Sequence, residues 1–407
     1  MVSLSRRGFL SIAGASVLSR TLAAQDRKGL EIRIPRLIHE FEQQGDHRTG
    51  TAVDHASARW LQAQVEASGL RPALEPFSLS RVDLLSISVV AADRRIEGVP
   101  LFDGGFTDSS GISGRLGPLS EGTDIGLAST VPNQAAAGAL GDARRANRHK
   151  AIVCVTNGRQ PGLCPSNAEH FLKPFGPPVV QVSDLNGQTL SELARQGATV
   201  RVIARVTRTP ATAVNVTATI AGLNSSLPPL VIMTPRSGWY SCASERGGGI
   251  VCWLELMRTL ETPRPVRDIV FVASSGHELG YLGMNAFVDA RPGIVKNSAG
   301  WIHLGANIGA AVEPGNNIQS SDDQSEAILM KAMTDADLRV GRRLPRGTVP
   351  GGEAEVVHRG GGRYVSAIGQ NALFHNPSDR GPTAVDPKAI ASFVDAFTAV
   401  ARELSRA

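Results

Sequence analysis

The chain has 407 residues, of which 42% are hydrophobic, 19% charged and 5% aromatic, with 43 Gly, 24 Pro and a formal net charge of +5. This is ordinary globular composition, long enough for more than one domain and suited to a loop-rich α/β protein. The basic residues, among them Arg144, Arg145, Arg342 and Arg343, form no stripe interleaved with aromatics, so a nucleic-acid partner is not expected.

The N-terminus reads as an export signal. Arg6-Arg7 precede Gly8-Phe9-Leu10, a mildly apolar run follows from 11 to 22, and Ala23-Ala24-Gln25 offers a small-residue cleavage site. Those three parts in that order predict twin-arginine (Tat) targeting over 1–24 and a periplasmic or secreted mature chain. No later stretch holds 18 uninterrupted apolar residues, so no integral membrane segment is expected in the mature chain. The four cysteines are Cys154, Cys164, Cys242 and Cys252. Outside the cytosol they have the option of pairing, with Cys154–Cys164 the natural local pair, although spacing alone leaves the connectivity open.

Residues 30–75 read as helical, with Ala56, Trp60, Leu61 and Val65 at helix spacing and Gly69 as a stop. A β-rich run follows over 84–92. Residues 98–210 carry short strands, many glycines and a short helix over 189–196 ended by Gly197, and they read as an inserted lobe. From 214 onward strands and helices alternate: strands over 214–220, 230–233, 269–273 and 301–304, and helices over 249–260, 283–290 and 325–336. The last helix is capped by Asp386, opens with Pro387 and buries Ile390, Phe393, Val394, Phe397, Val400 and Leu404 on one face. Alternation of this kind implies a mostly parallel sheet covered on both faces, with ligands at the carboxyl ends of the strands.

Three loops that follow strand candidates hold the polar groups. They are 234–249, with Arg236, Ser237, Tyr240, Cys242, Glu245 and Arg246; 274–283, with Ser275, His277 and Glu278; and 374–379, with His375 and Asp379. Carboxylates and imidazoles at strand ends are the material of a zinc site and of general bases.

These loops resemble the motifs of the M28 zinc peptidases. Gly276-His277-Glu278-Leu279-Gly280 is similar to their Glu-Glu-Leu-Gly segment, and Phe374-His375-Asn376-Pro377-Ser378-Asp379 to their Phe-His-Thr-Pro-x-Asp segment. The 234–249 loop resembles their His-x-Asp…Asp…Ser-Gly stretch, and 98–210 their inserted protease-associated domain. The implied architecture is a three-layer α/β/α aminopeptidase-like domain over 25–97 and 211–407, with a β-rich lobe over 98–210 lying over the site.

The resemblance also implies where a metal would sit. A His of the family's first metal falls on Pro235, its second carboxylate on or next to Ala306, and an orienting Asp on Ser237, so that metal is not expected. The second metal would keep Glu245 (in place of the bridging Asp), Glu278 and His375. One Zn per chain on two carboxylates and an imidazole leaves a fourth position for water. The family's catalytic Glu falls on His277, which would take the water's proton. Arg236, Tyr240 or Arg246 would stabilise an oxyanion or bind a substrate carboxylate. Glutaminyl cyclases are similar in using one zinc held by an Asp, a Glu and a His.

Other readings of the same residues stand beside these. His277-Glu278 reads also as a hydrogen-bonded remnant without metal, and His375 as a loop histidine held by Asp379. His303 suits packing, and His47 and His358 suit the surface. Cys242 suits a structural thiol, and a Ser275–His277 pair is disfavoured because adjacent residues point apart. Gly247-Gly248-Gly249 fits a helix start hugging the sheet better than a phosphate cradle. Three functions follow: a one-zinc hydrolase cleaving an amide of a small peptide or amino-acid conjugate, an inactive binding protein with the same cleft, and a glutaminyl-cyclase-like acyltransferase.

Overall fold

The computed structural model describes residues 27–406, so the expected export signal over 1–24 lies outside the described residues. Four parallel strands form its centre: Leu230–Pro235, Ile269–Ser274, Gly300–Leu304 and Tyr364–Gln370. Gly315–Ser320 adds antiparallel on one side and Thr199–Ile220 on the other. Within one strand Leu230 and Ile232 pack into one core, against the helices Gly247–Leu260 and Pro387–Arg406. Val231 and Met233 pack into another, against the helices Leu282–Asp289 and Ala354–Arg359. Period-two alternation that is apolar on both faces buries the sheet on both sides, giving the expected three layers.

The chain departs from the sequence expectation near its start. Residues 27–42 and Ala52–Ala67 are two separate helices, and Ala73 opens the strand Ala73–Ala91 rather than ending a helix. The break lies at Gly45 and Gly50, both in the left-handed region, followed by Thr51, whose hydroxyl caps the second helix at Asp54 N. Asp386 caps the last helix as expected, accepting from Lys388 N and Ala389 N.

Ala73–Ala91 pairs along nearly its whole length with Thr199–Ile220. Between the two strands of this ribbon the chain builds Ile112–Pro118, Ile125–Thr130, Ala151–Thr156 and Val179–Ser183, joined in parallel. They have a core of their own around Val153, Val155, Val180 and Leu190. The four cysteines are buried free thiols, so the Cys154–Cys164 disulfide is not made. Among the described residues no helix is long and apolar enough to cross a membrane.

Candidate functional site

Pro235 and Ser274 are opposite each other in the parallel register, so the loops after both strands leave the sheet at the same level. The loops after Leu304 and Gln370 leave beside them. The helix Gly247–Leu260 starts against this edge at van der Waals limits: a Cβ at Gly248 would lie 1.8 Å from Ile308 O. The glycine run is therefore a close backbone approach, as its sequence suggested.

Ser237 ties two loops together. Its Oγ donates to Glu278 Oε2 (2.9 Å) and accepts from the backbone N–H groups of Gly276 and His277. Arg246, wholly buried, reaches into the same place. Its Nε donates to Ser237 O (2.6 Å) and its Nη2 to Glu278 Oε1 (3.0 Å). The same Nη2 lies 2.8 Å from Glu245 Oε1, a charge contact whose angle falls short of a hydrogen bond. Burial works to lower the Arg246 pKa, but Glu245 and Glu278 outweigh it and hold the group above the usual arginine range. Burial likewise works to raise Glu245, and Arg246 with His375 outweighs it, holding that carboxyl below its usual range.

His375 is also fully buried. Its Nδ1 lies 2.6 Å from Pro165 O, an acceptor, so Nδ1 carries the proton. Nε2 then faces Glu245 Oε1 at 3.5 Å, and neither atom has a hydrogen-bond partner. Burial pushes the His375 pKa down. Asp379 does not hold His375, as the sequence had suggested; it accepts from Ser244 N, Ser244 Oγ and Glu245 N, fixing the loop that carries Glu245. Burial pushes Asp379 up to about 7.

His277 belongs to a different group. Its Nδ1 donates to Glu353 Oε1 at 2.9 Å, and Glu353 Oε2 takes the Nε2 proton of His303 at 3.3 Å. His303 Nδ1 is 2.8 Å from Ser366 Oγ, so His303 is a polar link rather than a packing residue. Burial works to raise the Glu353 pKa, but the two histidines hold it well below the usual carboxylate range. An ionised Glu353 fixes the His277 tautomer with the proton on Nδ1 and the Nε2 lone pair free. Gly352, at φ +67°, lets the backbone pass over the pair, since a Cβ there would meet His303 Cε1 at 2.7 Å.

His277 lines a cavity of about 630 Å³ between the 98–210 segment and the carboxyl ends of the strands. Asn133, Asn157 and Asn167 line it from one side, and Asn307, Gln370 and Asn371 from the other. Tyr281 and Ala306 also face it, while Glu245, Arg246, His375, Arg236 and Tyr240 do not. The segment around 160–168 closes over the buried group. Tyr240 Oη donates to Leu163 O (2.8 Å), Trp239 Nε1 to Asn167 Oδ1 (3.2 Å), and Asn376 Nδ2 to Pro161 O (3.1 Å).

The remaining sequence candidates have structural partners. Arg236 is fully buried, 2.8 Å from Asp54 Oδ1, and also donates to Asp54 O. Ser275 Oγ donates to Asp54, away from His277. Cys242 is buried beside Glu245, and burial pushes its thiol pKa up, as fits a structural thiol. His47 is not on the surface: it is fully buried and stacked on Phe41 at 3.9 Å. His358 is half-buried, with Nδ1 3.4 Å from Tyr364 Oη.

Sequence reasoning missed Glu353 and Asp54. Neither sits in a motif, and the imidazole and guanidinium groups they pair with lie 50 or more residues away. The one faint signal is Gly351-Gly352 directly before Glu353.

No protein-family model matches the sequence, and no curated protein does. Solved structures do match the fold. BSAP, a zinc aminopeptidase from Bacillus subtilis, superposes with a TM-score of 0.75 at 18% identity, over 93% of this chain and 94% of that one. This is the zinc-aminopeptidase fold. A peptidase M28 precursor from Shewanella amazonensis SB2B (TM-score 0.70, 15% identity, 94% and 96% covered) and the aminopeptidase of Aneurinibacillus sp. strain AM-1 (0.69, 15%, 91% and 92%) share it. At these identities the likeness shows the fold alone.

The residues of this aminopeptidase-like chain do not fit a zinc ion as they are arranged. Only Glu245 Oε1 and His375 Nε2 remain unbonded and facing each other, and Glu278 is bound on both oxygens. Among the described residues no group of three or more His, Cys, Asp or Glu is placed to hold a metal. The Arg246 guanidinium lies against two of the three expected ligands. A divalent ion about 4 Å from it would meet a repulsion of about 4 kcal/mol per unit charge at an effective dielectric of about 20. The other metal lacks donors as well: neither Pro235 nor Ala306 carries a side-chain ligand atom.

Proposed function

We propose that the protein binds a small peptide or amino-acid conjugate in the cleft over His277, without a metal. The amide-lined cavity carries this reading. Side-chain amides offer donors and acceptors together, matching a peptide or N-acyl group, and Arg159, Glu169 and Glu355 at the same lining can face its charged ends. Asn167, for instance, gives its oxygen to Trp239 and keeps its NH₂ for the cavity. Glu245 and Glu278, by contrast, are withdrawn into the Arg246 group. Export through the twin-arginine pathway, read from residues 1–24, is part of the proposal.

A second reading rests on one observation, the His277–Glu353 pair. A carboxylate-oriented imidazole with Nε2 facing a cavity can take a proton from water as it attacks a carbonyl, the leaving group being protonated in turn. This hydrolysis would use neither zinc nor an acyl-enzyme, and no feature favours a cyclising transferase.

Isothermal titration with dipeptides and N-acyl amino acids, with the ligand recovered and weighed by mass spectrometry, separates the two. Binding with ligand returned intact supports the first reading. Turnover lost in His277→Gln supports the second. Turnover dependent on added zinc would sink both.

A further inference from the structure

We propose that Arg246 is the resident cation of this site: its guanidinium holds together Glu245 and Glu278, and thereby takes the place that a metal ion would need between them. The inference is independent of what occupies the cavity.

Three observations carry it. The first is position. Arg246 Nη2 is within 3.0 Å of one oxygen of each carboxylate, and Nε is anchored on Ser237 O. A cation that touches both acids at once stands between them. The second is burial. Arg246, Glu245 and Glu278 have side chains 0%, 0% and 3% exposed, so the two negative charges need an internal counter-charge, and the guanidinium supplies it. The third is a pair of atoms left without a hydrogen bond, one of them in charge contact with the guanidinium. Glu245 Oε1 and His375 Nε2, both buried, face each other at 3.5 Å without a hydrogen bond. Buried polar atoms normally find a partner. Here two acceptors are aimed at one point, and His375 is oriented by Nδ1–H on Pro165 O, as imidazole ligands are oriented by a carbonyl.

Removing the guanidinium frees Glu278 Oε1 to join those two atoms. Once these side chains close on the vacated point, two carboxylate oxygens and one imidazole nitrogen supply enough donors for zinc. Ser237 continues to hold the other Glu278 oxygen.

The test measures zinc retained after incubation and desalting, by mass spectrometry on the full mature chain, with thermal melts in parallel. Wild type is expected to retain none and to show no zinc-dependent shift of its melt. Arg246→Ala and the uncharged Arg246→Gln are expected to retain about one zinc per chain, lost again when His375→Ala is added. Should the variants unfold without their cation, zinc is expected to restore the folded state, because it neutralises the same two carboxylates. Stoichiometric zinc in wild type, removed by His375→Ala, would overturn the proposal. So would folded Arg246 variants that retain no zinc, or unfolded ones that zinc does not rescue.

Discussion

His277 Nδ1 and Glu353 Oε1 lie 2.9 Å apart across 76 residues of chain, and that contact fixes which ring nitrogen of His277 faces the cavity. Glu353 reaches it because Gly352 adopts φ +67° and brings the backbone over the two histidines. The carboxylate therefore acts through His277 and is a positioning residue.

Glu353→Gln should disturb both histidines. One amide oxygen cannot replace two carboxylate oxygens, and the NH₂ group would face an N–H of a ring. The expected cost is about 1–3 kcal/mol in urea melts, the penalty of a buried donor without a partner. Nitrogen-15 shifts of His277 should show loss of the pure Nδ1–H tautomer. A variant in which that tautomer persists would show that Glu353 does not set it.

His47 should give the fold an acid limb. Burial depresses its pKa from 6.5 to about 3, so between those values the unfolded chain binds a proton that the folded one does not. The contribution is full above about 6.5 and is lost as pH falls toward 3; by pH 5 the loss amounts to about 2 kcal/mol. His47→Phe, which preserves the stack on Phe41, should flatten that part of the stability–pH profile between 7.5 and 5. An unchanged slope would refute the assignment.

Arg236→Ala should cost about 3–5 kcal/mol, because it leaves Asp54 charged, buried and short of its partner. Ligand affinity of the folded fraction should not change. A variant of normal stability that loses ligand binding would restore Arg236 to the substrate-binding role its sequence position suggested.

Gly248→Ala should fail to fold or lose more than about 3 kcal/mol, since its Cβ would overlap the Ile308 carbonyl and that atom is backbone. Gly122→Ala, with open space around it, is the neutral control.

Much of the fold was legible. Apolar runs marked three of the four central parallel strands, at 230–233, 269–273 and 301–304, while Tyr364–Gln370 went unread; the Asp386-Pro387 start with its apolar face gave the start of the last helix. The 73–91 strand was read only in part, because its solvent-facing alternation is weak and its stability comes from pairing with 199–220. In the site, Glu245, Glu278 and His375 do come together, as motif positions implied, and His277 does line the cavity. The spacing of Arg246 beside Glu245 said nothing of its direction, since a side chain at a helix start can turn outward to solvent or back into the site.

Composition, periodicity and local spacing thus determined the layers, the strand-end loops and the residue types gathered there, because each depends on contacts within about one turn or one strand. Tertiary structure alone decided which cation the buried carboxylates face, which acid orients His277 and which histidines are buried. Those outcomes are set by the long-range sheet register, which brings together residues tens to hundreds of positions apart and leaves each buried charge to find its partner there.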